Sequence, residues 1–141
     1  MMRRDWLLAA IAQAGEAGLS PIKIQKTMFL LRMEAAEYVG ERFYTFKPYN
    51  YGPFNPTIYQ DLNRLVFSGF LRVEPSGNYK LYMATDAGKA KASEFAKSLD
   101  DVPREYLKKL VGWVSQVGFS QLLRSVYAKY PEYAKNSVFQ D

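Results

Sequence analysis

Apolar residues recur at helical spacing through the first part of the chain. Residues 5–14 place them at i, i+3, i+4 and i+7, which predicts a helix with one apolar stripe. Ser20-Pro21 then sets a capping residue before a proline at the first helical position, which predicts a second helix from there to about Val39. The apolar residues of this helix occupy more than one face, so we expect it to be the buried central helix. They are Ile24, Met28, Phe29, Leu30, Leu31, Met33, Ala35 and Tyr38.

The middle of the chain changes between extended and helical patterns. Phe43-Tyr44-Thr45-Phe46 is aromatic and β-branched and precedes Lys47-Pro48, which predicts a short strand or extended segment. Asn55-Pro56 repeats the order of cap and proline, and the apolar stripe after it predicts a third helix over residues 55–68. Alternating residues on both sides of a turn cluster predict a β-hairpin over residues 71–83. This order of elements is that of a winged helix, in which the third helix is the recognition helix and the hairpin is the wing.

Helical patterns return in the last third of the chain, over residues 85–99, 103–117 and 120–130. Asp100-Asp101 is expected to cap the middle one. We therefore predict an α+β protein with a winged-helix domain over residues 1–99 and a helical extension over residues 100–141. The final helix is rich in apolar residues, so it must pack on the core or on a second copy, and we predict a homodimer.

Composition narrows the possible functions. The chain has 141 residues with 48% hydrophobic and 23% charged residues, which is typical of one globular domain. It contains no cysteine and no histidine, which excludes the usual zinc sites, thiol nucleophiles and Ser-His-Asp arrangements. No glycine-rich phosphate-binding loop occurs, and Glu34 and Glu37 are expected to lie on a solvated helix face. We expect a non-enzymatic, cytoplasmic protein with no metal, no cofactor and no membrane segment.

Two segments resemble a known family. Lys23-Ile24-Gln25-Lys26-Thr27-Met28-Phe29, with Tyr51-Gly52-Pro53-Phe54-Asn55-Pro56 and Tyr59 after it, is similar to the SocA-like antitoxins, also called the Panacea domain, over roughly residues 22–62. The resemblance implies a protein that binds a toxin or a proteolysis adaptor. The residues from Gly69 to Lys89 instead resemble the wing and following helix of bacterial regulators of the PadR or MarR type.

The candidate partner-binding residues lie in the two segments that carry the antitoxin resemblance. Lys23 and Lys26 occupy the first turns of the second helix, where the helix dipole disfavours positive charge. Two exposed, solvated lysines would explain them without function, whereas an acidic partner or a phosphate beside the helix start would give them a function. The full candidate set for binding a partner protein is Lys23, Lys26, Tyr51, Gly52 and Pro53.

Double-stranded DNA is the alternative partner. The net charge is +5, and the recognition helix and wing offer side chains that can contact bases and phosphates. Asp61 and Glu74 reduce the positive charge of this surface, so we rank binding of a partner protein ahead of DNA binding. The aromatic residues of segment 43–54 could stack on single-stranded nucleic acid, but we expect them to fill the core. The candidate DNA-binding residues are Thr57, Gln60, Asn63, Arg64, Arg72 and Lys80.

Overall fold

The structure is a computed structural model that describes residues 2–139 of the chain. Over these residues the protein is α+β, with seven α-helices and two small antiparallel hairpins. The helices are α1 (Arg3–Gln13), α2 (Pro21–Glu34), α3 (Ala36–Val39), α4 (Thr57–Phe67), α5 (Asp86–Ser98), α6 (Asp101–Gln116) and α7 (Phe119–Lys129). The strands are β1 (Lys47–Tyr49), β2 (Gly52–Phe54), β3 (Leu71–Ser76) and β4 (Tyr79–Ala84), and 3-10 turns occur at Gly15–Ala17 and Pro131–Ala134.

Two helices form the centre of the core. In α1 every residue from 6 to 11 is buried, and in α2 every residue from 24 to 31 is buried. Consecutive residues point around the whole circumference of a helix, so both helices are enclosed on several sides. Around them, α1 contacts α4, α5, α6 and β4, while α2 contacts α6, β2 and β4. The prediction of a central second helix is confirmed.

The second helix ends earlier than its sequence pattern predicts. It ends at Glu34, because Ala35 leaves the helical conformation (φ −128°, ψ 31°) before the chain forms the short helix α3. Neither proline nor glycine marks this break. Ala35 is buried, and the neighbouring Glu34 carboxylate accepts hydrogen bonds from the hydroxyls of Tyr106 and Tyr130. Contacts with distant parts of the chain thus hold this helix end.

Residues 43–46, predicted as a short strand or extended segment, do not form a strand. Phe43 and Tyr44 are buried core residues without strand pairing, and the strands follow later, as β1 and β2. Pro48 pairs with Pro53 in this hairpin. In an antiparallel ladder every second pair exchanges no backbone hydrogen bonds, so two prolines are tolerated at such a pair. A proline in sequence normally indicates the end of a strand, and here it lies inside one.

The hairpin predicted over residues 71–83 is confirmed as β3 and β4. The register runs from Leu71 opposite Ala84 to Ser76 opposite Tyr79. Leu19 adds an isolated bridge to β4, because its N–H and carbonyl each bond to Tyr82, at 3.0 and 2.9 Å. The preceding Gly18 has φ +64°, and a Cβ there would lie 2.7 Å from the Tyr82 carbonyl oxygen. Only glycine therefore fits where the chain meets this hairpin.

The C-terminal helices pack on the rest of the chain. Helix α6 contacts α1 and α2, and its first residue is Asp101, two residues before the predicted start. Helix α7 contacts β2, and its buried residues are Leu122, Leu123 and Val126. The ring of Phe29 from α2 packs edge-on against Tyr130 and Tyr133, beyond α7. The apolar face of α7 is thus covered by its own chain, and the homodimer stays a prediction.

Candidate functional site

A pocket of about 730 Å³ opens where four helices, the β1–β2 hairpin and strand β4 meet. The start of α2 forms one side, the β1–β2 hairpin and Tyr59 of α4 form a second, and the start of β4 forms a third. The end of α6 and the start of α7 close the pocket. Of the residues expected to bind a partner, four line it: Lys23, Lys26, Tyr51 and Gly52. The fold therefore brings together residues that are far apart in sequence.

The two segments that carry the antitoxin resemblance are bonded to each other at the base of this pocket. The Gln25 side-chain amide donates to the Asn55 carbonyl at 2.8 Å, and its oxygen accepts the Asn55 N–H at 2.9 Å. Lys26 Nζ donates to the Pro53 carbonyl at 3.3 Å. The two α2 side chains thus hold the backbone of β2 and of Asn55, the residue that follows it. Pro53 takes part through this carbonyl and is not among the lining residues.

Lys26 is buried, and the expectation that it is an exposed lysine is wrong. It is only 2% exposed, and burial lowers its pKa to about 7. Every residue of α2 from 24 to 31 is buried, so Lys26 is enclosed although it lies close to the helix start. Gly52 lies over the lysine, because a Cβ built at Gly52 would be 3.5 Å from Lys26 Cε. With φ +91°, Gly52 also has a backbone conformation that favours glycine.

Lys23 is half-buried and lines the same pocket. Its Nζ donates to the Ser115 carbonyl of α6 at 3.2 Å, and burial lowers its pKa. The hydroxyl oxygen of Ser115 is buried and has no hydrogen-bond partner among residues 2–139. A buried hydroxyl usually has a partner. This side of the pocket therefore offers an unused donor and acceptor.

The rim of the pocket, by which we mean Tyr49, Tyr51, Tyr79 and Phe119, is aromatic and exposed. Tyr51 packs edge-on against Phe119 at 5.6 Å between ring centroids. The turn that carries Tyr51 is held from the C-terminal side, since the Val138 N–H donates to the Asn50 carbonyl at 2.8 Å. Segment 43–54 is therefore divided in two. Its first rings fill the core as expected, whereas Tyr49 and Tyr51 are exposed at the pocket.

The candidate DNA-binding residues lie apart from most of this pocket. Gln60, Asn63 and Arg64 are exposed on α4, Thr57 is half-buried, and Lys80 is exposed on β4. Arg72 forms ion pairs with Glu16, at 3.1 Å, and with Glu74. An arginine that is paired with two carboxylates has less of its charge available for phosphates. Four of the candidates thus share α4, whereas Arg72 and Lys80 lie on the β3–β4 hairpin.

The carboxylate of Asp61 is not exposed on the outer face of α4, contrary to what its sequence position suggests. Asp61 is 3% exposed, and its carboxylate accepts hydrogen bonds from Arg3 Nε at 2.8 Å and from the Tyr44 hydroxyl at 2.6 Å. Burial, with the carboxylate next to it, raises the pKa of Tyr44 well above its usual range. Asp61 is a buried link between α4, α1 and the segment before β1.

Sequence reasoning missed an arginine cleft beside α4. A second concavity, of about 350 Å³, is formed where the N-terminal end of α1 meets the residues after α3 and the outer face of α4. Its arginines come from three separate parts of the chain, so no local charge run signals it. The arginines that line it are Arg3, Arg4, Arg42 and Arg64.

Within residues 2–139 no three His, Cys, Asp or Glu residues are grouped so that they could hold a metal ion. No helix in that part of the chain is long and apolar enough to cross a lipid bilayer. Compared with known proteins, the chain matches no protein-family model and no curated protein.

Proposed function

We propose that the protein is a non-catalytic binding module that captures a partner protein at the rim of the 730 Å³ pocket. The observation that carries this proposal is the convergence of Lys23, Lys26 and Tyr51 on one concave surface. The sequence alone predicts all three as partner-binding residues. Such a concave site, with apolar walls and a few polar groups, is the usual form of a binding site.

The chemistry of the pocket favours a partner segment that carries an acidic residue. The described lining residues include two lysines and no aspartate or glutamate. The rim adds exposed tyrosines, and tyrosine is among the residues that contribute most to protein interfaces. Complementary charge gives specificity and raises the association rate. An acidic segment that contacts the tyrosines and approaches the lysines satisfies both features.

The resemblance of residues 22–62 to SocA-like antitoxins implies that this partner is a toxin or a proteolysis adaptor. We also propose that the fold is a winged helix located in the cytoplasm. Support for the winged helix comes from the order α1, α2, α4 and β3–β4, and from the bridge between Leu19 and Tyr82 at the base of the proposed wing. Fold alone does not deliver function, so the proposal depends on the pocket.

The test uses variants of the rim and of the half-buried lysine. Tyr51→Ala and Lys23→Glu are compared with the wild type in capture from a lysate of the source organism, and the captured protein is then purified and titrated directly. Loss of an interface tyrosine of this kind weakens binding by about 2 kcal/mol, or roughly thirtyfold in Kd. Lys26→Glu is unsuitable because it would bury a carboxylate and destabilise the fold.

Matched controls lie on other surfaces. Phe67→Ala removes an aromatic side chain that is 95% exposed at the end of α4, and Lys108→Glu reverses an exposed lysine on α6. Both controls should retain the partner, and all four variants should keep the wild-type melting temperature within a few degrees. Equal capture by the pocket variants and the controls would rule out this surface as the interface.

Binding of double-stranded DNA is the second candidate, and the arginine cleft favours it. Arg4, Arg42 and Arg64 form no ion pair with any residue from 2 to 139, and the cleft adjoins Gln60 on the outer face of α4. Unpaired arginines beside a recognition helix are suited to contacting phosphates. This cleft adds the basic residues that the sequence of α4 lacks.

Arg42→Ala and Arg64→Ala test the DNA alternative. Each should weaken binding to DNA of mixed sequence and lower the slope of log K against log salt by about one, because each removes one phosphate contact. Lys108→Ala is the control, since it removes an equal charge on a different helix. A salt-dependent shift that survives both arginine substitutions, or is absent from the wild type, contradicts this alternative.

A further inference from the structure

The floor of the pocket contains a buried amine that lacks an acidic partner. Lys26 is 2% exposed, and its Nζ has one hydrogen-bond acceptor among residues 2–139, the Pro53 carbonyl at 3.3 Å. An ammonium group can donate three hydrogen bonds. Buried charges in proteins are normally paired, and no described residue lining this pocket is acidic. The amine therefore has capacity for an anionic acceptor that comes from outside the chain.

The walls around this amine are largely apolar. These walls combine apolar residues of α2, β2, β4 and α7 with the residue that follows α6. They are Pro21, Phe54, Leu81, Leu122 and Val117. The volume of about 730 Å³ falls within the range of roughly 300–1,000 Å³ that small-molecule sites occupy. A ligand that fits these walls has an apolar body, and one that uses Lys26 carries an anionic group at one end.

We propose that this pocket binds a small organic monocarboxylate, whose carboxylate pairs with Lys26 at the floor and whose apolar body contacts the walls beneath the aromatic rim. Of the two lysines that line the pocket, only Lys26 is buried, so a single negative charge matches the buried amine. This proposal goes beyond capture of a partner protein and does not depend on it.

A carboxylate ligand would also stabilise the charged form of the buried Lys26 amine. Without an anion, burial disfavours the charged form of Lys26 and lowers its pKa to about 7. A carboxylate at hydrogen-bond distance favours the charged form, so binding should take up a proton near neutral pH. The other titratable groups at the pocket are Lys23, Tyr49, Tyr51, Tyr59 and Tyr79, with Tyr127 packed on Gly52.

Isothermal titration calorimetry of the purified full chain tests the proposal with three probes of equal length. They are 4-phenylbutyrate, the neutral 4-phenylbutan-1-ol and the cationic 4-phenylbutylamine. A charge-assisted hydrogen bond to Lys26 should make the carboxylate bind about tenfold to a hundredfold tighter than the alcohol. The amine should bind weakest of the three. Equal affinity for carboxylate and alcohol would show an apolar cleft without anion recognition and would overturn the proposal.

A variant and a change of pH locate the carboxylate. Lys26→Met keeps the length of the side chain and should abolish the preference for carboxylate over alcohol, whereas Lys108→Met on α6 should keep it. In the wild type, raising the pH from about 6 to about 8 should weaken carboxylate binding about tenfold, because the amine loses its proton over this range. Affinity for the alcohol should not change. A carboxylate affinity that is constant over this range overturns the proposal, even if Lys26→Met fails to fold.

No partner protein takes part in these titrations. Failure of carboxylate binding therefore leaves the rim free to capture a protein, and failure of protein capture leaves the titrations unaffected. The two proposals are distinguished by the substitution that weakens binding. Tyr51→Ala tests the rim, and Lys26→Met tests the floor.

Discussion

At the scale of single residues, the most informative side chain is a lysine that is buried although it is charged in water. Lys26 lies in the interior of the protein, held by a backbone carbonyl and covered by Gly52. A buried charged group without an acidic partner is unfavourable for folding. Its neutral form is correspondingly favoured, and burial brings its pKa to about 7. Stability should therefore depend on pH in a way that ordinary surface lysines do not cause.

We predict that the protein becomes more stable as the pH rises from about 7 to about 9. In this range Lys26 is mostly neutral in the folded state and protonated in the unfolded state, so the unfolded state binds more protons. The free energy of unfolding should increase by up to about 1.4 kcal/mol for each pH unit. Below pH 7 both states are protonated and this contribution to the slope disappears.

Urea denaturation at a series of pH values measures this slope. Lys26→Met removes the titrating amine and should flatten most of the dependence, while Lys108→Met should leave it as in the wild type. The half-buried Lys23 contributes in the same direction, because burial lowers its pKa too. A wild-type stability that falls between neutral and mildly alkaline pH is inconsistent with a buried amine.

At the scale of elements, local signals identified most helices and the β3–β4 hairpin. Caps, prolines and helical spacing lie within one segment, and they located α1, α4, α5, α6 and α7 to within a few residues. The signals for the hairpin are equally local, since a turn cluster separates its two alternating strands. Such patterns depend on nearby residues alone, and a single sequence contains all of that information.

The elements that sequence reasoning misplaced depend on distant contacts. The end of α2 at Glu34 is held by Tyr106 and Tyr130, and the β1–β2 hairpin is held by Gln25, Lys26 and the residues after α7. The same applies to the site. Its candidate residues in α2 and the hairpin were correctly grouped through the resemblance. Ser115, Phe119 and Tyr79 were missed, because nothing in their own segments indicates that they meet α2.

At the scale of the whole molecule, the C-terminal helices complete the pocket and the core together. Helix α7 covers the β1–β2 hairpin on one side, and Phe119 at its start belongs to the rim. Glu34 at the end of α2 accepts hydrogen bonds from Tyr106 of α6, Tyr130 and Lys129. Glu34 lies on an exposed face, as expected, and its carboxylate also joins α2 to both C-terminal helices. The extension is thus part of the structure that supports the site.

Val126→Ala and Val138→Ala test whether α7 stabilises the fold, because they make the same substitution at a buried and at an exposed position. Val126 of α7 is 1% exposed, whereas Val138 is 57% exposed. The buried substitution should lower the free energy of unfolding by roughly 1–3 kcal/mol, and the exposed one by less than about 0.5 kcal/mol. Thermal denaturation measures both. Equal melting temperatures would mean that α7 contributes little to the core, and sedimentation of the same samples would report whether the predicted homodimer exists.

The contact between Gln25 and the Asn55 backbone bears on which substitutions the pocket tolerates. Both polar atoms of the Gln25 amide bond to main-chain groups of Asn55, and any residue except proline at that position supplies both groups. An apolar residue in place of Gln25 would instead leave both main-chain groups without this partner. The base of the pocket is thus less free to change its sequence than the exposed aromatic rim.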